Sequence, residues 1–98
     1  MMRRRLVGMD AEVSLLDRDR EHLWLRWVEP GRCHYGEQKW SASVARHIGQ
    51  CALTGNVINV GDEVFRPTGR PSPSNASAQI LANQVEKLII ELKAGELL

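Results

Sequence analysis

Two apolar runs flank a charged tip in residues 11–28, AEVSLLDRDREHLWLRWV, with Asp17, Arg18, Asp19, Arg20 and Glu21 at the tip. That arrangement predicts a β-hairpin. In its second arm Leu23, Leu25 and Trp27 alternate with Trp24, Arg26 and Val28. A strand sends successive side chains to opposite faces, so one set faces a core and the other faces out. Leu23, Leu25 and Trp27 are the set expected inside. Pro30-Gly31 then stops the strand.

The next stretch, CHYGEQKWSASVARHIG (residues 33–49), carries two periods at once. Trp40, Ala42, Val44 and Ile48 fit a strand broken at Arg46, while Trp40, Val44 and Ile48 also fit one helical stripe. A strand is expected, and the choice between strand and helix decides which way Trp40 and His47 point. Residues 51–67 read as turn, strand, turn, strand. Thr54-Gly55-Asn56 is a turn cluster, Val57 to Val60 a short strand, Gly61-Asp62 a hairpin signal, and Val64-Phe65 a strand ended by Pro67. Gly55 and Gly61 are expected at positive φ, where a Cβ is costly.

A Pro/Ser linker occupies residues 68–74, and a helix is expected over residues 75–95, capped by Ser74 or Asn75 and closed by Gly95. Leu81, Val85, Leu88 and Leu92 form its apolar stripe. With a basic flexible leader at 1–9 and a β-rich domain at 10–67, the expected fold is α+β: a small antiparallel sheet of four to five short strands with one C-terminal helix.

Composition narrows the function classes. The 98 residues suit one domain, with 43% hydrophobic and 26% charged residues. A net charge of +1 provides no long-range field toward nucleic acid or anionic lipid. No apolar run approaches the ~18 residues of a membrane span. Three arginines near the start are followed by Asp10 and Glu12 rather than by the apolar stretch of a signal peptide. Cys33 and Cys51 are too few for a disulfide framework, so a reduced cytoplasm is expected.

The run Cys51-x-Leu53-Thr54-Gly55-x-x-Ile58-x-x-Gly61-Asp62-x-Val64-Phe65-Arg66-Pro67 resembles the signature of a family of small proteobacterial proteins that carry a domain of unknown function. The upstream RCHYGEQKW and the downstream NASAQILA are similar to other blocks of that family, and the likeness spans roughly residues 27–82. The resemblance implies a compact domain and supplies no catalytic residues.

The residues offer four kinds of chemistry: metal binding, catalysis, ligand binding and association. Cys51-Ala-Leu-Thr54-Gly55 has the shape of a zinc knuckle whose second cysteine is replaced by threonine, a poor zinc ligand. Cys33, His34, His47 and Cys51 together make a Cys₂His₂ donor set without paired motifs, and the preferred reading is a buried thiol in a turn, with no metal and no cofactor. For catalysis, Cys-His pairs can be drawn in several ways, but Glu37, Asp62 and Glu63 serve equally as orienting groups, so no dyad is selected. No phosphate-binding glycine loop and no nucleophile-elbow motif appears, and no enzyme is expected.

For binding, Trp24, Arg26, Arg32, Tyr35, Arg46 and Arg66 are the surface candidates, pairing rings with guanidinium groups in the manner of nucleic-acid binders. Acids interleave with these bases, most plainly at the hairpin tip, which favours a mixed solvated surface. For association, Leu81, Val85, Leu88 and Leu92 have the spacing of a dimer seam, and Ile80 and Ile90 lie off it. The resulting expectation is a non-enzymatic binding or regulatory module that self-associates through the helix. A nucleic-acid binder and a zinc-stabilised domain are the alternatives. Gly55, Gly61 and Asp62 are assigned to architecture.

Overall fold

The computed structural model describes residues 2–5, as backbone, and residues 11–87. Strands run over β1 Met2–Arg5, β2 Glu12–Arg18, β3 His22–Glu29, β4 Cys33–Val44, β5 Gly49–Gln50, β6 Val57–Ile58, β7 Glu63–Pro67 and β8 Ile80–Leu81. A short helix, α1, covers residues 82–87, where the description ends. Six strands form one antiparallel sheet in the order β1-β2-β3-β4-β7-β8, and β5 pairs with β6 separately. This is the α+β class that the hydrophobic pattern predicts.

Strand β3 alternates strictly between half-buried and buried residues. Leu23, Leu25 and Trp27 are 1%, 1% and 0% exposed, so the inner set is the expected one. The expected hairpin is β2–β3, with Leu15 opposite Leu25 and Val13 opposite Trp27. Strand β4 presents a subtler case. Gln38 and Trp40 lie opposite Leu25 and Leu23, but Tyr35 lies opposite Trp27, so the register slips at Gly36-Glu37. A one-residue bulge exchanges the two faces of a strand. Odd-numbered Cys33 and Tyr35 therefore share the inner face with even-numbered Gln38 and Trp40. Beyond Trp40, Ala42 and Val44 of β4 and Ile48 beyond the strand are exposed, Val44 by 52% and Ile48 by 74%.

Between β4 and β7 the chain makes a flap. Ala45 donates its N–H to the Asp62 carbonyl and accepts from Gly61 N–H, at 2.9 Å each, which closes the base of the flap. The Gly61-Asp62 turn, expected to close a hairpin, instead passes the chain from the small β5–β6 pair to the main sheet. Its geometry is local: Asp62 Oδ2 accepts from Asn59 N–H at 2.8 Å, and Gly61 has a φ of 94°. Ala45, Cys51, Leu53 and Ile58 turn inward and join Val64, Ile80, Leu81 and Val85 in one core.

Three segments differ from the sequence-based expectation. Residues 74–77 form turns rather than a first helical turn, because Asn75 is not a cap: its side chain is buried against Gln38. Ile80 and Leu81 then pair with Phe65 and Val64 as an added strand, and the helix begins only at residue 82. An unpaired edge on β7 offers backbone groups that outweigh local helix propensity. At the opposite edge Met2–Arg5, expected as a loose leader, lies antiparallel to Glu12–Leu15 for the same reason. The expected helix over residues 88–95 lies outside the described residues.

Candidate functional site

Two buried indoles organise the inner face, and each donates to an acceptor two residues along its own strand. Trp27 Nε1 donates to Glu29 Oε1 at 2.7 Å, and Trp40 Nε1 donates to Gln38 Oε1 at 3.0 Å. The rings tilt against one another at 5.5 Å between centroids. Residues two apart in a strand share a face, which is what places each acceptor within reach. The two acceptors are then satisfied differently. Glu29 is a carboxylate only 5% exposed, and Arg32 Nη1 reaches its Oε2 at 3.1 Å across the turn while the Cys33 thiol points to Oε1 at 3.8 Å. Gln38 forms a reciprocal amide pair with Asn75, at 2.9 and 3.0 Å. Beside it the Tyr35 hydroxyl accepts from Ser74 N–H at 3.0 Å. These bonds fasten the 73–79 segment across the sheet, and among the described residues no buried side-chain nitrogen or oxygen lacks a partner.

The knuckle-like run has become a turn that locks the flap. Gly55, at a φ of 77°, donates its N–H to the Cys51 carbonyl at 2.8 Å, and Thr54 Oγ1 accepts from Asn56 N–H at 3.2 Å. Leu81 N–H donates to Cys51 Sγ at 3.4 Å. A backbone amide aimed at a cysteine sulfur is a feature of a metal knuckle, but here it serves a buried free thiol, 1% exposed. The other donors of the Cys₂His₂ set do not join it. His34 lies opposite Val28 on the outer face, Cys33 faces inward beside Glu29, and His47 is exposed on the flap. Among the described residues no three His, Cys, Asp or Glu side chains are grouped to hold a metal.

The outer face of β3 and β4 has a different composition. Trp24 lies opposite Lys39, whose Nζ sits 5.9 Å from the ring centroid, and the His22 ring lies 5.7 Å away on the same side. Arg26, half-buried, follows on that face. At the hairpin turn Asp19 Oδ1 accepts from the N–H groups of Glu21 and His22, at 2.8 Å each, and from the His22 ring at 3.1 Å. The Glu21 backbone bond is the main cause of a carboxyl pKa held below its ordinary value. Arg18, nearby, pairs with Glu86 of α1.

The surface candidates separate into groups. Trp24 and Arg26 share the outer face. Tyr35 is turned toward Ser74 on the inner side. Arg32 and Arg66 border a cleft of about 520 Å³ between the β3–β4 turn, the flap and the 73–79 segment. Arg46 stands exposed at the base of the flap. Of the seam residues, Leu81 and Val85 are 7% and 2% exposed and belong to the chain's own core, while Leu88 and Leu92 lie outside the described residues. Sequence reasoning missed Lys39, Gln38, Asn75 and Glu29. Two of these had a signal: a polar acceptor stands two positions from a tryptophan in both Trp27-x-Glu29 and Gln38-x-Trp40. No helix among the described residues is long and apolar enough to cross a membrane.

Residues 8–87 match the profile of a family described as Domain of unknown function (DUF3331). No curated protein and no solved structure matches the chain.

Proposed function

Starting from the fact that the chain belongs to this family, whose description assigns no activity, we propose that it is a non-enzymatic binding module whose outer β3–β4 face holds single-stranded nucleic acid. The observation that carries the reading is the placement of Trp24. This large ring is outside the core cluster, lies half-buried on a sheet face, and has a lysine ammonium over it and a histidine ring beside it. Lys39 Nζ lies over the ring, 5.9 Å from its centroid, so a stacking base takes the place of the ammonium, which stays near enough to meet the adjoining phosphate. Arg26 extends the positive edge along the same strand. With a net charge of only +1, attraction is local and the affinity modest.

The non-enzymatic part rests on how the titratable groups are used. The buried carboxylate, Glu29, already serves Trp27 and Arg32, and the buried thiol, Cys51, serves Leu81. Two free thiols suit a reduced cytoplasm, and the Cys51-to-Pro67 run is read as the family's signature. Self-association through the helix is the second reading, supported by the apolar residues beyond Val85. A sedimentation mass of one chain at high concentration removes it.

The test is fluorescence anisotropy of a labelled oligo(dT) with the full chain at low salt. Binding is expected, with a log–log salt slope of about −1.5 to −2 for two or three phosphate contacts. Trp24→Ala should weaken it about tenfold or more, because stacking contributes roughly 1–3 kcal/mol per base. Absence of binding at 50 µM protein, or binding indifferent to Trp24→Ala, rejects the reading.

A further inference from the structure

The cleft beside the flap has a chemistry that the outer face does not share. Arg32 comes from the β3–β4 turn, His47 from the flap and Arg66 from β7, so only the tertiary fold brings them to one opening. Ser74, Ser77 and Gln79 add hydroxyl and amide donors from the opposite wall, and no carboxylate lies in the lining. We propose that this cleft is a phosphate-binding site.

The geometry supports this in three ways. First, Arg32 is held in place by Glu29, with one guanidinium nitrogen at 3.1 Å from the carboxylate. A guanidinium carries five N–H donors, so the ion pair orients the group and leaves donors for an incoming oxyanion. Second, Arg66 is half-buried and, among the described residues, forms no ion pair. The Glu29–Arg32 pair being neutral as a unit, Arg66 supplies the net charge. His47 adds a ring N–H in either protonation state. Third, the volume of about 520 Å³ suits a phosphate group together with the small moiety that bears it. The bearer is either a small phosphorylated ligand or a nucleic-acid backbone; the phosphate oxygens are the shared chemistry.

A chemical-shift titration of the full chain with inorganic phosphate at constant ionic strength tests the proposal. Saturable shifts are expected at Arg32, His47 to Ala52, Arg66 and Ser74 to Gln79. Arg66→Met should weaken the affinity at least tenfold. Arg66→Lys keeps the charge and the fold but loses the planar fork, and should weaken it severalfold. His47→Ala, at an exposed position, should weaken it while leaving the melting temperature unchanged. Trp24→Ala should leave this titration unaltered, which separates the site from the outer-face reading. Parallel titrations with a phosphate monoester and with oligo(dT) identify the bearer: saturation by the monoester alone means a small ligand, and saturation of the same residues by oligo(dT) means a backbone. Shifts that fail to saturate, that spread over all arginines alike, or that persist in both Arg66→Met and His47→Ala overturn the proposal.

Discussion

The two faces of β3 differ in how completely their groups are used. Inward, Trp27 is fully buried and its indole N–H ends on Glu29; outward, three residues earlier, Trp24 is partly exposed, with His22 and Lys39 against its ring and Asp17 opposite it on β2. The same residue type therefore does two jobs. An indole with its N–H satisfied and its rings enclosed contributes its apolar area to stability. An indole left on a sheet surface contributes little to the fold and remains available to a partner. A second contrast lies within the inner face: Trp40 ends on an amide pair closed by Asn75, whereas Trp27 ends on a carboxylate balanced by an exposed arginine.

The largest way to test the comparison is to truncate one indole on each face. Trp27→Ala or Trp40→Ala should lower the unfolding free energy by about 3–5 kcal/mol, whereas Trp24→Ala should change it by less than about 1 kcal/mol. Urea denaturation measures both, and equal losses would mean that the outer ring is part of the core after all. Next comes the amide pair. Asn75→Leu strands half of Gln38 in a buried site and should cost about 1–3 kcal/mol. Adding Gln38→Leu should not double that loss, so a double-mutant cycle should return a clear coupling term.

Glu29→Gln sharpens the second contrast. The amide still accepts from Trp27 but no longer balances Arg32, and a loss near 1 kcal/mol is expected, smaller than for Asn75→Leu. The smallest effect sits at the hairpin turn. Asp19 titrates below its ordinary 3.8 because Glu21 and His22 donate to its charged form. A depressed carboxyl pKa stabilises the fold above the unfolded value, and that contribution is lost as pH falls through the folded one. Thermal melts of the native chain and Asp19→Asn should therefore differ at pH 6 and converge as pH falls through the lowered folded value. A difference that persists at the lowest pH would mean that the turn bonds do not depend on the charge.

Much of the fold was legible in residue order. The period of two in Leu23, Leu25 and Trp27 identified the inner face of β3 because a strand with one buried side has no other way to place three large apolar groups. The charged tip located the hairpin turn, and the glycines at 55 and 61 marked two of the four positive-φ glycines among the described residues, Gly31 and Gly69 being the others. The inner face of β4 was not legible, since the bulge at Gly36-Glu37 exchanges its faces midway and mixes odd and even positions. Nor was the role of Asn75, which reads locally as a helix cap and acquires its partner from 37 residues away.

For this protein, local pattern alone determined the strands whose alternation is unbroken, the turns that need glycine, and the class of fold, because those depend on neighbours a few residues apart. The tertiary structure decided what the edges recruit and what the surface offers. It drew Met2–Arg5 and Ile80–Leu81 onto open strand edges, gave Gln38 and Asn75 to each other, and gathered Arg32, His47 and Arg66 around one cleft. Those outcomes depend on backbone and side-chain groups that meet only when the sheet has closed, and no period along the chain encodes that meeting.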